Sequence, residues 1–333
     1  MHEPPRISVI TAIYNAEDFL ERTLQSLINQ TFQDFEVIIV DDGSTDTSTE
    51  IVERLAEGEP RIRLIRQKNR GIAHALNRGI SESRGELIAL LDHDDLWRPK
   101  KLALQVERID RDHSVGFVGC YSALIDDDGN CLGWRFGTHV EGAVYREMRY
   151  CDLIAGGSVP LVRRTLFEQA GNFDPAPEIQ GRTDWEQWIR LSRFSNYAMV
   201  RSTLVGYARR PSNYSRDYHR MVEAGKAVLF KTAASDPDFD LKSLVKAQAR
   251  DVFGVFCLGF ADEEIDSIGC LLRRSIQLSW QPILLSPRRL LVVALFLLAK
   301  ITPRAHFRKI WRFVATVVFR LKPGEPFLPE QVR

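Results

Sequence analysis

Residues 36–44 read EVIIVDDGS, and this stretch decides the predicted fold. Its apolar part, residues 37–40, is an unbroken run of β-branched side chains, which is typical of a strand buried on both faces of a parallel sheet. Two acids, Asp41 and Asp42, follow directly, and we expect Ser44 to cap the next helix. The pattern predicts an α/β domain with polar groups beyond the carboxyl end of a buried strand, where open α/β sheets bind their ligands.

The same alternation of strand and helix extends through the first 120 residues. Short connections between such elements imply a parallel sheet with right-handed crossovers. Further on, residues 126–130 predict a turn between antiparallel strands. Residues 184–194 predict a helix with Trp185 and Trp188 facing the core, the alternative being a platform for a sugar. The predicted strands are residues 7–11, 36–40, 62–65 and 87–91, and the helices among them contain residues 19–28, 51–55 and 71–82.

The composition excludes several classes of protein. Of the 333 residues 44% are hydrophobic and 27% are charged, so wholesale disorder and fibrous repeats are ruled out. The net charge of +1 argues against a protein that binds nucleic acid along its whole surface. The 5 cysteines are scattered without a C-x-x-C pair, which disfavours a disulfide scaffold or a zinc site. Since residues 1–5 also show no secretory pattern, we expect a reducing, cytoplasmic compartment.

The net charge of the whole chain is near zero, but the C-terminal part is a basic and apolar tail. Residues 267–324 contain 11 Lys and Arg and no acid, whereas the rest of the chain carries 34 basic and 44 acidic residues. The apolar run 290–299 is too short to cross a bilayer, and the segment 307–319 mixes aromatic with basic residues. This composition favours helices lying on an anionic membrane surface. The alternative is a helical bundle packed on the body, with basic side chains reaching out to solvent. A nucleic-acid-binding arm would be less apolar.

The strongest chemical signal is LDHDD at residues 91–95, again just beyond a predicted strand. Its three carboxylates, those of Asp92, Asp94 and Asp95, repel one another unless a cation or hydrogen bonds hold them. Few oxygen ligands suit Mg²⁺ or Mn²⁺ shared with substrate phosphates. The alternative is a helix cap before Pro99, with the acids merely solvated.

The acids at residues 41–46 also allow two interpretations. A carboxylate here can accept a hydrogen bond from a nucleotide base or a ribose hydroxyl, or it can stabilise the N-terminus of a helix. A dinucleotide-binding Rossmann site would need G-x-G-x-x-G after a strand. The sequence contains neither that run nor a Walker A loop.

Several short motifs occur along the chain in one order. They are ITAIYN at 10–15, QTF at 30–32 leading to Glu36, DDGSTD at 41–46, NRGI at 69–72, ALNRGI at 75–80, GE at 85–86, DHDD at 92–95, GNFD at 171–174 and DWEQWIRL at 184–191. Together they resemble glycosyltransferase family 2 over roughly residues 6–215. The resemblance implies an α/β fold of the GT-A type, a Rossmann-like mixed sheet that binds nucleotide-sugars. We expect a catalytic domain at 1–232 and a C-terminal helical, basic and apolar extension at 233–333, which would associate with a membrane.

The resemblance also implies roles for individual residues. Asp184 matches the catalytic base. Asp92 and Asp94 match the D-x-D motif that holds Mg²⁺ or Mn²⁺, with Asp94 favoured as the direct ligand. Gly157 and Ser158 lie where the acceptor approaches. The residues assigned to the nucleotide-sugar are Ala12 (through its backbone), Tyr14, Asp41, Asp42, Asn77, Asp92, His93 and Arg210.

Two departures from the family pattern bear on the chemistry. Thr183 stands where a Glu often precedes the base, so Asp184 lacks one neighbouring negative charge. Arg210 stands where the family often has a His. An Arg cannot ligate a metal but can hold a diphosphate, which predicts a weaker dependence on metal. His219 could substitute, but a single His in a polar stretch is more often a surface residue.

The implied activity is inverting transfer of a sugar from a nucleotide-sugar, expected to be a UDP-sugar, to a saccharide or lipid-linked saccharide. Such a single displacement needs one general base and no covalent intermediate. We expect a role in cell-surface polysaccharide or lipopolysaccharide assembly at the inner face of the plasma membrane, with an anionic membrane surface as a partner and no nucleic acid.

Two alternative functions stay open. One is a sugar nucleotidyltransferase, which would normally show a glycine-rich basic loop near its first strand, and the other is a non-catalytic module that binds sugar or membrane.

Overall fold

A computed structural model describes residues 3–154, 156–210, 213–262, 264–281, 285–314 and 326–328. Its centre is a mixed sheet of β1 (Ile7–Ile13), β2 (Phe35–Asp41), β3 (Ile62–Arg66), β4 (Leu87–Leu90), β5 (Leu96–Trp97), β6 (Val115–Ile125), β7 (Cys131–Phe136), β8 (Leu161–Arg163) and β9 (Asn196–Ala208). The strand order is β3-β2-β1-β4-β8-β6-β9-β5, with β7 paired to β6.

The first half of the sheet is parallel and confirms the predicted alternation. β1 pairs with β2 and β4, and β2 pairs with β3. Every residue of β2 is buried, which accounts for the β-branched run at 37–40. Helices α1 (Leu20–Ile28), α2 (Ser48–Gly58) and α3 (Ile72–Glu82) make the connections. The carboxyl ends of β1, β2 and β4 therefore lie at one edge of the sheet.

The second half of the sheet is mixed. β8 runs antiparallel to both β4 and β6, and β9 pairs in parallel with β6 and antiparallel with β5. The predicted turn at 126–130 joins the antiparallel strands β6 and β7. The remaining helices are α4 (Lys101–Asp110), α5 (Tyr145–Met148), α6 (Arg164–Ala170), α7 (Thr183–Leu191), α8 (Tyr218–Ala234), α9 (Leu241–Ala261), α10 (Gly269–Leu278), α11 (Pro287–Ile301) and α12 (Arg304–Val314).

The prediction that Ser44 caps the second helix is wrong. α2 begins at Ser48, whose N donates a hydrogen bond to Asp46 Oδ1 at 3.1 Å. Ser44 belongs to the turn after β2, where its N donates to Asp41 Oδ1 at 3.0 Å and its Oγ accepts from Asn15 N at 3.0 Å. These short polar side chains tie the ends of β1 and β2 together, and so Ser44 is not available to the helix.

The helical region at the C-terminus is continuous with the rest of the fold, which we call the body. The expected boundary between residues 232 and 233 lies inside α8, and Val228 and Leu229 of this helix belong to the main core. Phe239 and Leu244, which follow the boundary, belong to the same core. A second core packs α9 to α12 against β6 and β7. The chain therefore passes from one region to the other without a linker.

The basic tail packs on the body through one face of its helices. Leu295, Phe296 and Phe307 are buried, and the ring of Trp311 stacks on Trp134 with 4.4 Å between centroids. In the parts of residues 267–314 that the structure describes, the tail thus packs on the body as helices, which was the alternative prediction. The rest of the predicted segment, residues 315–319, lies outside the described residues. Within the described ranges, no helix combines the length and hydrophobicity that a membrane span requires.

A buried carboxylate joins the first two strands to the loop before β4. Glu36 accepts hydrogen bonds from Ser8 Oγ at 2.7 Å, from Arg84 N at 2.8 Å and from Arg84 Nη2 at 2.7 Å. Burial acts to raise the pKa of Glu36, but the hydrogen bonds from Arg84 and Ser8 outweigh it and lower the pKa. The network therefore stabilises the ionised form of Glu36.

We expect Glu36→Ala to lower the free energy of unfolding by about 2 kcal/mol, because the buried hydroxyl of Ser8 loses its acceptor and the hydrogen bonds from Arg84 are lost as well. Urea denaturation followed by circular dichroism measures the change. Glu57→Ala, which removes an exposed acid from α2, is the control and should stay within about 0.5 kcal/mol of the wild type. Equal stability of the two variants would contradict the role given to Glu36.

Candidate active site

A cavity of about 420 Å³ opens at the edge of the sheet where β1 and β4 end. This is the edge at which open α/β sheets bind ligands. The lining is contributed by separate stretches of the chain, namely 15–19, 72–76, 90–94, 156–157, 173, 181–184, 207–210 and 213–215. The fold therefore gathers distant parts of the sequence around one space.

Four carboxylates line this cavity: Asp18 lies before α1, Asp92 and Asp94 follow β4, and Asp184 lies in the first turn of α7. Burial raises the pKa of Asp92 to about 7, and the charges of Asp94 and Asp184 act in the same direction. Burial also raises the pKa of Asp184 to about 7, with a further contribution from the charge of Asp152. Negative charges gathered in this way favour either proton uptake or a nearby cation. The structure thus brings the predicted base and the predicted D-x-D motif together.

The loop that carries Asp92 is held by hydrogen bonds from β5 and the 156–158 segment. Asp92 N donates to Ser158 Oγ at 2.9 Å, and Trp97 Nε1 donates to Ser158 O at 3.0 Å. Asp95 is buried, and its Oδ1 accepts from Ala208 N at 3.0 Å. The loop is therefore anchored at both ends, which fixes the direction of the carboxylates between them.

Arg210 brings positive charge to the same cavity. Its Nη1 lies 3.2 Å from Asp94 Oδ2, and its Nε lies 2.8 Å from Asp127 Oδ1. The guanidinium also lies over the ring of Phe19, with Cζ 3.0 Å from the ring centroid. Because a guanidinium presents several planar donors, this group suits a diphosphate that enters the cavity.

Asp41 and Asp42 are buried beside the cavity and do not line it. Asp42 Oδ1 accepts from Gln67 Nε2 at 2.7 Å and from Arg70 N at 3.0 Å, and its Oδ2 accepts from Gly71 N at 2.7 Å. Asp42 thereby holds the loop before α3. A carboxylate offers about four acceptor positions, so Asp42 keeps room for one more donor. Its contact with a nucleotide base stays a prediction.

Of the other residues assigned to the sugar donor, only some line the cavity. His93 lines the cavity, whereas Ala12 and Tyr14 lie at the end of β1 and Tyr14 is 49% exposed. Asn77 does not line the cavity. Its Nδ2 donates to Phe173 O and its Oδ1 accepts from Phe173 N, both at 2.8 Å. The amide of Asn77 holds Phe173 at the cavity, and its expected contact with the donor stays a prediction.

The aromatic residues of α7 are structural. Trp185 and Trp188 are fully buried, and Trp185 Nε1 donates to Met148 O at 2.9 Å. The prediction that they face the core is confirmed, and a sugar platform on these two rings is excluded. His219 is exposed and lies outside the cavity lining. It therefore does not take the place of the His that the family often has where this chain has Arg210.

Sequence reasoning missed several residues that close the cavity. Phe19, Phe173 and Tyr214 contribute aromatic surface, and Asn15 and Asp18 contribute polar groups. Asn15 has a positive φ of 48°, a value that Asn tolerates better than most residues and that marks a special turn. The signal that could have found it is its place directly after a buried strand. Phe173 belongs to the GNFD motif, which by itself does not indicate that the ring faces a cavity, and Tyr214 begins a short 3-10 helix that carries no sequence signal of its own.

The chemistry of the cavity fits a divalent cation shared with a phosphate. In the part of the chain that the structure describes, no group of three or more His, Cys, Asp or Glu side chains could hold a metal ion. Mg²⁺ is commonly held by one or two carboxylates together with substrate phosphates, and Asp92 and Asp94 supply such a pair. The raised pKa of Asp92 indicates that its negative charge is incompletely compensated within the protein.

Comparison with known proteins points to one family. The model described as glycosyl transferase family 2 matches residues 8–154. The chain is 34% identical over 199 residues to TuaG of Bacillus subtilis, a putative teichuronic acid biosynthesis glycosyltransferase, and the match covers 59% of this chain and 76% of that protein. Among the first curated relatives, the matched stretch spans between 35% and 76% of their own length.

Two solved structures share the fold. Mannosyltransferase PcManGT from Pyrobaculum calidifontis, in complex with GDP-Man and Mn²⁺, has a TM-score of 0.57 at 21% identity, covering 94% of this chain and 86% of that one. Residues 1–349 of S. aureus TarS, in complex with UDP, have a TM-score of 0.54 at 19% identity, covering 82% and 81%. Both chains carry the GT-A fold, so the fold implied by the resemblance is confirmed.

We expect the metal-free protein to lose stability as the pH rises from about 4 to about 7. The pKa of Asp92 is raised to about 7 in the folded state, so the folded protein keeps a proton that the unfolded chain releases. The stability from this proton is present below the unfolded pKa and is lost as the pH approaches 7. Asp92→Asn removes the contribution of Asp92, leaves that of Asp184, and should stabilise the protein by about 2 kcal/mol at pH 8.

Thermal unfolding in EDTA between pH 5 and pH 8 measures this dependence. Asp266→Asn, at an exposed position, is the control and should follow the wild-type profile. A profile of Asp92→Asn that runs parallel to the wild type would contradict the assignment of the proton to Asp92.

Proposed function

The chain belongs to glycosyltransferase family 2, and on that premise we propose that it transfers a hexose-type sugar, with inversion, from a UDP-sugar to a saccharide or lipid-linked saccharide. One observation carries the proposal. Asp92, Asp94 and Asp184 line one cavity and lie close enough for the charge of Asp184 to raise the pKa of Asp92. A diphosphate held near Asp92 and Asp94 would direct its sugar toward Asp184.

Asp184 is proposed as the general base. It takes the proton of the acceptor hydroxyl while that oxygen bonds to the anomeric carbon, and the bond from this carbon to the diphosphate breaks. A base works best with a pKa near the working pH, and burial raises the pKa of Asp184 to about 7. Its Oδ1 accepts a hydrogen bond from Trp185 N at 2.8 Å, which orients the carboxylate. A single displacement needs no second carboxylate as nucleophile.

Asp92, Asp94 and Arg210 are proposed to hold the diphosphate. A Mg²⁺ or Mn²⁺ ion on the two carboxylates would supply positive charge to the leaving group when bound. Arg210 already contacts Asp94 at 3.2 Å, and its donors suit diphosphate oxygens. Because the guanidinium of Arg210 already places a positive charge in the cavity, we propose that transfer is slower without a metal ion but does not stop.

The acceptor is proposed to approach along the 156–158 segment and to belong to a cell-surface polysaccharide or lipopolysaccharide. A Cβ added at Gly157 would lie 3.4 Å from Asp92 Oδ2, so this side of the carboxylate is bordered by backbone without a side chain. The name of TuaG, which refers to teichuronic acid biosynthesis, supports a polymer of the cell surface as the product.

We expect Asp184→Asn to lower kcat by about 1,000-fold, because a general base contributes roughly two to four orders of magnitude. The dissociation constant of the nucleotide-sugar should change by less than about threefold, since the diphosphate contacts remain. Release of nucleoside diphosphate measures transfer, and isothermal titration calorimetry measures binding. Asp238→Asn, at an exposed position, is the control. A matched loss of donor binding would indicate a structural role for Asp184.

A panel of UDP-sugars and GDP-mannose in Mn²⁺, Mg²⁺ or EDTA tests the donor and the role of Arg210. We expect transfer with a UDP-sugar, faster with metal and reduced in EDTA. Arg210→Gln should raise the donor KM about tenfold, because a charge-assisted contact to the diphosphate is lost, and should deepen the loss in EDTA. Pyrophosphate with a new sugar nucleotide would instead support a nucleotidyltransferase, and an absence of donor turnover would support a binding module.

The outer face of the tail is proposed to lie on an anionic membrane at the cytoplasmic side. While one face of α11 and α12 packs on the body, Leu297, Ile301 and Phe313 are exposed, the last two at 82% and 70%. Lys300 is exposed beside them, and residues 267–324 contain no acid. Apolar side chains among basic residues suit the headgroup region of an anionic bilayer. A lipid-linked acceptor would be presented at the same surface.

We expect the protein to float with vesicles of phosphatidylcholine containing about 30% phosphatidylglycerol, and the bound fraction to fall in high salt because the attraction is partly electrostatic. Ile301→Asp combined with Phe313→Asp should reduce binding at least about fivefold. Leu241→Asp, at a residue 75% exposed on α9, is the matched control. Equal binding to pure phosphatidylcholine, or equal loss with Leu241→Asp, would contradict the proposed surface.

A further inference from the structure

Two acidic residues of the helical region point back toward the catalytic body. Asp251 lies within α9, and Asp262 directly follows its last residue. They are eleven positions apart, which is about three helical turns, so both leave the helix on the same side, roughly 16 Å apart along its axis. Neither residue belongs to the cavity lining.

Asp251 pairs with the residue that begins the helix of the proposed base. Its Oδ1 lies 2.7 Å from Arg182 Nη2, and the side chains of Asp251 and Arg182 are only 7% and 12% exposed. Arg182 is the N-cap of α7, and Asp184 follows in the first turn. The carboxylate of Asp251 therefore fixes the start of the helix on which the base stands.

Helix α8 is shaped to admit this pair. A Cβ added at Gly225 would lie 2.1 Å from Asp251 Oδ2, closer than any side chain could approach. The carboxylate of Asp251 is thus enclosed between the backbone of α8 and the guanidinium of Arg182. Such an enclosed ion pair has little freedom to reorient.

Asp262 makes an equivalent contact with the other wall of the cavity. Its Oδ1 accepts from Arg209 Nε at 3.0 Å, and its Oδ2 accepts from Tyr218 Oη at 2.7 Å. The side chains of Arg209 and Asp262 are each 1% exposed. Arg209 immediately precedes Arg210 and also donates to Ser215 Oγ, which lines the cavity. Asp262 therefore anchors the segment that carries the proposed diphosphate contact.

We propose that α9 positions both walls of the active site: Asp251 orients Asp184 through Arg182, and Asp262 holds Arg210 and Ser215 through Arg209. The inference rests on the proposed function, because it assigns supports to that function's base and diphosphate contact. A buried ion pair is often no more stabilising than apolar residues of similar volume, whereas a displacement of about 1 Å at a reacting group can cost two orders of magnitude in rate. Both residues are positioning residues and do not touch substrate.

The decisive variant separates positioning from stability. Asp251→Asn should lower kcat about tenfold or more while the donor dissociation constant stays within about twofold, but it also leaves Arg182 without a charged partner and lowers the melting temperature. The double variant Arg182→Met with Asp251→Val replaces the pair by apolar side chains, so the melting temperature should return toward the wild type. Its kcat should stay low, because the base is no longer oriented.

The second contact predicts the opposite kinetic pattern. Asp262→Asn should raise the donor KM about tenfold with a smaller effect on kcat, because it frees the segment that holds the diphosphate rather than the base. Asp266→Asn, exposed and four residues away, is the control and should leave both parameters unchanged. The same split should appear in calorimetry, where only Asp262→Asn weakens donor binding.

Asp184→Asn is measured first, so that a failure of the proposed function can be distinguished from a failure of the positioning role of α9. If the wild type shows no transfer, the proposed function is wrong, and if Asp184→Asn still transfers sugar, Asp184 is not the general base. If Asp184→Asn is inactive while the double variant regains both melting temperature and kcat, the pair is only structural and the positioning role is overturned. Equal effects of Asp251→Asn and Asp262→Asn on kcat and KM would overturn it as well.

Discussion

Parallel pairing of β1 with β2 and β4 places the carboxyl ends of three strands at one edge of the sheet. Each of these strands is followed by polar or acidic residues, so the fold gathers negative charge in a small space. Burial and the charges of Asp94 and Asp184 together raise the pKa of Asp92. The site is therefore prepared for positive charge, and the rest of the structure either supplies such charge or holds the acids in place.

The protein distributes this task among elements that are distant in the sequence. Asp42 is supplied with donors by the loop before α3, and Asp95 by the end of β9. Arg210, from the segment after β9, contacts Asp94. Asp42 and Asp95 thus have hydrogen-bond donors within the protein, as buried polar groups require, and Asp92 and Asp184 face the cavity.

The helical region contacts the segments that line the cavity and also forms part of the outer surface. One side of α9 carries Asp251 and Asp262, whose partners flank the proposed base and the proposed diphosphate contact. The helices that follow it present buried rings to the body and exposed apolar residues to the outside. Packing and ion pairs in this way connect the helical region to the cavity, a connection that its composition does not indicate.

The sequence pattern alone predicted the parallel strands, the edge of the sheet at which the acids lie and the burial of Trp185 and Trp188. It could do so because periodicity and β-branched runs are local signals. It misassigned Ser44 as a helix cap, because its partner Asn15 comes from another segment, and it gave no sign that Asn77 holds Phe173. The amphipathic tail allowed two arrangements, since a helix with one apolar side packs on a protein or on a membrane equally well. The roles of Phe173, Tyr214, Asp251 and Asp262 depend on contacts between residues far apart in the chain, and such contacts exist only once the sheet and α9 have packed together.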